Sequence, residues 1–129
     1  GAGLSSRTSV AVTTGSLVNA ASTNATIVGF KSYALLKIQT SHAAWVRLYT
    51  DTISQAADSS RTETTDPLPN AGVVAEVITT GAQTILISPG AFGFNNDGPL
   101  STNIPVTITN KSGSSAAITV TLTLLQLEI

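Results

Sequence analysis

Residues 115–129 read SAAITVTLTLLQLEI, and the fold follows from how that stretch alternates. Ile118, Val120, Leu122 and Leu124 point to one side, and Thr119, Thr121 and Thr123 point to the other. A period of two is the signature of a β-strand with one face buried. After Leu124 the pattern changes sides. Leu125, Leu127 and Ile129 continue the threonine row, while Gln126 and Glu128 continue the apolar row. A β-bulge at Leu124-Leu125 would return the later residues to the same core. Otherwise the apolar side changes face, and a second copy of the chain is the expected cover. Leu125, Leu127 and Ile129 are thus the candidate oligomer interface.

Working outward, the same short alternating runs recur between turn residues, and no stretch carries helical apolar spacing over three turns. The expected strands are 7–14, 26–30, 32–40, 43–50, 73–79, 83–88, 104–110 and 116–127. Ser41-His42, residues 80–82 and residues 111–114 read as hairpin turns between neighbours. Residues 91–103 read as an ordered loop. About eight strands with long central crossovers predict an all-β fold, an antiparallel β-sandwich of jelly-roll type. The 129 residues form one domain over 1–129, with 1–6 a flexible N-terminal lead-in.

Composition narrows the function. Charged residues make up 10% and the net charge is -1. Six Lys plus Arg are dispersed along the chain, so there is no basic stripe for nucleic acid. The polar remainder is dominated by 20 Thr and 15 Ser. Such a polar but nearly uncharged surface suits an assembled protein better than a solitary one. Cysteine is absent, which excludes disulfides and thiolate metal sites. No apolar run reaches the roughly 18 residues that a membrane helix needs, and no signal peptide is seen. The chain has no Met and opens Gly1-Ala2-Gly3, as expected of a processed product or an excised domain.

Trp45, Arg47 and Tyr49 share one face of the 43–50 strand. They form either an aromatic platform for a sugar ring, with Arg47 as hydrogen-bond donor, or packing at the rim of the core, at a subunit interface or under the following loop. Ala44, Val46 and Leu48 on the other face read as core. Residues 51–72 form the longest connection and hold Asp51, Asp58, Arg61, Glu63 and Asp66. Their spacing matches no calcium loop, so ion pairing that orients the loop, with Arg47 and Arg61 as cations, is the expected role. Asn95-Asn96-Asp97-Gly98 reads as a turn rather than a metal site. His42, the single histidine, reads as a turn residue. No catalytic triad, carboxylate pair, zinc motif or phosphate loop is present, so no enzyme, metal or cofactor is expected. Asn24-Ala25-Thr26 and Asn110-Lys111-Ser112 match the glycosylation sequon, which matters only for a eukaryotic host.

The strings KIQTSHAAWVRLYTD (37–51), SSRTETTDPLP (59–69), GVVAEVITTGAQTILISPG (72–90) and VTITNKSGSSAAITVTLTLLQLE (106–128) resemble small β-rich domains of tailed bacteriophages, cyanophages among them. The resemblance covers roughly residues 26–128. It implies a virion structural protein with a jelly-roll-like fold. The expected place is the C-terminal end of a tail fibre or appendage, or a free-standing capsid decoration protein. The implied partners are copies of the chain, a trimer first, and other virion proteins. A receptor-recognition module for a host surface glycan is the alternative. There the Phe92/Phe94 loop would replace the Trp45 platform if Trp45 were shielded. No membrane partner is implied.

Overall fold

The computed structural model describes residues 6–129. The expected lead-in over 1–6 lies, but for Ser6, outside them. The described residues form eight strands: β1 (Thr8–Thr13), β2 (Ser22–Val28), β3 (Ser32–Thr40), β4 (Ala44–Tyr49), β5 (Val73–Ile78), β6 (Gln83–Phe94), β7 (Asn103–Asn110) and β8 (Thr119–Gln126). One short helix, α1 (Thr52–Ala57), follows β4. The strands build two antiparallel sheets of four, in the orders β1-β8-β3-β6 and β2-β7-β4-β5. The molecule is therefore an all-β sandwich.

Alternation explains which side chains meet between the sheets. Val120, Leu122 and Leu124 of β8 and Leu35 and Ile38 of β3 point inward from the first sheet. Val46 and Leu48 of β4 and Ile104, Val106 and Ile108 of β7 meet them from the second. All are buried, and together they make one continuous core.

The hairpins expected at Ser41-His42, 80–82 and 111–114 do not occur. β3 and β4 lie in different sheets, as do β5 and β6, and β7 and β8. Only β4 and β5 follow one another within a sheet. Alternation locates a strand but not its partner. A short polar connection can arch across the roughly 10 Å between packed sheets as readily as it folds back. Three extents also differ, β8 beginning at Thr119 rather than at 116. β2 begins earlier than the 26–30 run suggests, and residues 91–94 belong to β6 rather than to a loop.

The pattern switch in β8 involves no bulge in that strand; the irregularity lies on its neighbour. The register of β3 shifts between Leu35 and Lys37 against both β8 and β6, so Leu36 is the extra residue. Against it, β6 inserts residues 87–90 between Leu86 and Ala91. β8 itself keeps its register through Gln126. The apolar side therefore does change face. Leu124 is fully buried, Leu125 is half-buried, Leu127 is 51% exposed and Ile129 is 101% exposed.

Candidate functional site

Two faces and one cleft stand out. The first is the outer face of the second sheet, where β4 presents Trp45, Arg47 and Tyr49. The connection over 50–72 lies across this face, and all three side chains are buried: Trp45 is 5% exposed and Arg47 is 2% exposed. Such an indole has no open face for a sugar ring. Asp58, just after α1, is the centre of the contact. Its carboxylate accepts from the Tyr49 hydroxyl at 2.5 Å, from Arg61 Nε at 2.8 Å and from Arg61 Nη2 at 3.1 Å. Arg47 Nη1 reaches the Asp58 carbonyl at 3.2 Å and its carboxylate at 3.5 Å.

Glu76 of β5 closes the other side. It accepts from the Trp45 indole N–H at 3.0 Å and pairs with Arg61 Nη2 at 3.0 Å. The Arg47 guanidinium stacks on Trp45, 3.9 Å from the ring centroid. Burial works against the Asp58 charge, but the Arg61 and Tyr49 hydrogen bonds outweigh it and hold the carboxyl below the usual range. Burial, and then the bond to Asp58, push the Tyr49 hydroxyl well above its ordinary value. Arg61 is held still more firmly protonated by Asp58. These groups satisfy one another except at Arg47 Nε, which is buried with no hydrogen-bond partner among the described residues, and the arrangement is a clasp.

The other loop acids have separate duties. Asp51 caps α1, accepting from the Ser54 N–H at 2.6 Å and from the Thr50 hydroxyl at 2.7 Å. Glu63 pairs with Lys111. Asp66 is exposed. Asn95 is buried and ties its own turn, accepting from the Asp97 and Ser101 N–H groups and donating to the Asn103 carbonyl. His42 is an exposed turn residue beside Ser41. Among the described residues no cluster of three metal-ligating side chains occurs. Glu76 escaped the sequence reading because it joins the clasp only when β5 pairs with β4, where it stands opposite Arg47.

The second face is the outer side of the first sheet, and here Leu125 and Leu127 find company. Leu125 stands opposite Ala34, and Ala34 opposite Phe92. One row further on, the Leu127 N–H donates to the Ser32 carbonyl, and Ser32 stands opposite Phe94. Leu86 stands opposite Lys37 across the bulge. Phe92 is 76% exposed, and Leu86 and Phe94 are also exposed. Gly93 fixes this orientation. A Cβ there would lie 2.4 Å from the Tyr33 ring, so the inward position belongs to Tyr33 and its two Phe neighbours point out.

The cleft lies where the edge strands β5 and β6 approach at one end of the sandwich. Thr50, Asp51, Asn70, Gly72, Phe92, Phe94 and Asn96 are among its lining residues, and it encloses about 400 Å³. No protein-family model matches this chain, and no curated protein or solved structure matches it.

Proposed function

We propose that this chain is a structural building block of a virion that packs against copies of itself through the outer face of its first sheet. The carrying observation is the pair of apolar rows Phe92-Ala34-Leu125 and Phe94-Ser32-Leu127, together with Leu86. Fully burying one Leu or Phe contributes roughly 1.5–3 kcal/mol. With Leu86, Phe92, Phe94 and Leu127 each about half exposed or more, one copy has on the order of 4–7 kcal/mol to gain by covering them. An interface draws on two copies, and the gain must exceed an association cost of roughly 4–15 kcal/mol.

The setting comes from the bacteriophage resemblance, with a tail-fibre or appendage domain first and a trimer as the expected state. The strand orders 1-8-3-6 and 2-7-4-5 support a jelly-roll wiring, in which a folded-over ribbon of paired strands wraps into two sheets. The reading assigns the chain no catalysis, because the titratable groups that gather at Asp58 are spent on one another.

Light scattering on the eluting protein tests it. The wild type is expected at a multiple of 13.1 kDa at micromolar concentration. Leu125→Asp and Leu127→Asp are expected to shift it toward the single-chain mass with the fold retained. A monomeric wild type, or two variants that stay assembled, overturns the proposal.

A further inference from the structure

We propose that the cleft between β5 and β6 is a binding site for a neutral saccharide ring, held between the Phe92 and Phe94 rings and the polar side chains of Asn70 and Asn96. A pyranose has one apolar C–H face and a rim of hydroxyls, and it needs both kinds of surface within one small cavity. This cleft has both. Phe92 and Phe94 are exposed aromatic rings along one wall. Asn70 and Asn96 are exposed on the same lining, leaving their amides to solvent or a ligand. Thr50 and Ser54 add hydroxyls and Asp51 adds a carboxylate. The volume of about 400 Å³ is in the range of small-molecule sites.

Charge narrows the ligand class further. Among the described residues no Lys or Arg lines the cleft, and Asp51 does. Hydrogen bonds from Ser54 and Thr50 outweigh the cost of burying the Asp51 charge and keep that carboxyl below its usual range. A phosphate, a nucleic acid or an acidic sugar would meet this carboxylate with no compensating cation. A neutral hydroxylated ring offers it hydroxyl donors instead.

The walls are also held in place before any ligand arrives. The Asn96 N–H donates to the Thr50 carbonyl at 2.7 Å, and the Thr50 N–H donates to the Gly72 carbonyl at 2.9 Å. Both sides of the cleft are thereby tied to the end of β4. Gly72 has φ +76, and a Cβ there would lie 2.3 Å from Ser54 Oγ, so only glycine lets the floor close this tightly. Such preorganisation removes part of the ordering cost of binding.

The inference does not rest on self-association, but Phe92 and Phe94 belong to both surfaces, so a bound ring and a second copy compete for them. The test is a nitrogen-15 NMR titration of the full chain with the methyl glycosides of glucose, galactose, mannose, rhamnose and N-acetylglucosamine at millimolar concentration. At least one glycoside is expected to move the amides of residues 50, 72–74 and 92–96 and leave β1 and β2 still. Asn70→Ala and Asn96→Ala are expected to weaken binding about five- to tenfold each, the size of one lost hydrogen bond, with unchanged melting. Leu127→Asp, which weakens assembly and so uncovers the Phe92 and Phe94 rings, is expected to bind at least as tightly as the wild type. No response to any of the five glycosides, a response centred elsewhere, or wild-type binding by both Asn variants overturns the inference.

Discussion

Replacing Asp58 by Ala removes the one carboxylate that Arg47, Arg61 and Tyr49 share. Arg47 is 2% exposed, its Asp58 carboxylate contact is 3.5 Å long, and its Nε is already buried with no hydrogen-bond partner among the described residues. At an effective permittivity of about 20, a 3.5 Å contact is worth about 5 kcal/mol of attraction before desolvation is subtracted. Deleting one partner of a buried pair costs about 3–5 kcal/mol, because the other charge stays buried. Asp58→Ala is therefore expected to lose about 3–5 kcal/mol, a large part of the roughly 5–15 kcal/mol that a domain has. Asp66→Ala, at an exposed position of the same loop, is expected to stay within about 0.5 kcal/mol. Urea unfolding followed by the fluorescence of Trp45, the single tryptophan, measures both. The clasp also shields that indole, so Asp58→Ala is expected to make it accessible to acrylamide. Equal stabilities for the two variants, with Trp45 still shielded, would refute the reasoning.

Acid is expected to act on the same group. The folded Asp51 and Asp58 carboxyls lie below the ordinary 3.8, so their stabilisation is complete well above that value and is lost as pH falls through their folded values. Unfolding free energy measured from neutral pH downward checks this, and a flat profile below pH 4 would count against it. The two tyrosines have the opposite sign. Burial raises both above 10.0, so their contribution is present below that pH and is lost above it, and the tyrosinate absorbance band is expected to appear only with unfolding. Gly93→Ala drives a Cβ into the Tyr33 ring, and a loss of about 1–3 kcal/mol is expected in thermal melts. A wild-type melting curve would show that Tyr33 has room to move.

The strands were legible because their faces differ in polarity. β3 is bounded at Ser32 and Thr40 as its alternation suggests, and β4 is within a residue at each end. What β4 also disclosed was its double burial: Val46 and Leu48 face the core while Trp45, Arg47 and Tyr49 face a covering loop. Pairing was not legible. Nothing in the 73–79 and 83–88 runs says that the first joins β4 and the second joins β3. With that pairing hidden, Glu76 had no reason to be read with Arg61. The cleft was hidden for the same reason, because Asn70, Phe92 and Asn96 are brought together by the meeting of two edge strands. The apolar turn of β8 at Leu125 was visible, but not that β8 would run through it without a bulge while the extra residue, Leu36, lies on β3.

Self-association through the outer face of the first sheet is the claim on which the functional account stands. The chain has no cysteine, so Lys37→Cys gives a unique attachment point on that face, beside Leu86 and Thr123. A variant spin-labelled there, at natural isotope abundance, and mixed with cysteine-free nitrogen-15 wild type reads contacts between copies only. Broadening of the amides of Phe92, Phe94, Leu125 and Leu127 is the predicted result. Broadening confined to β2 and β5, or none at any residue, would contradict it.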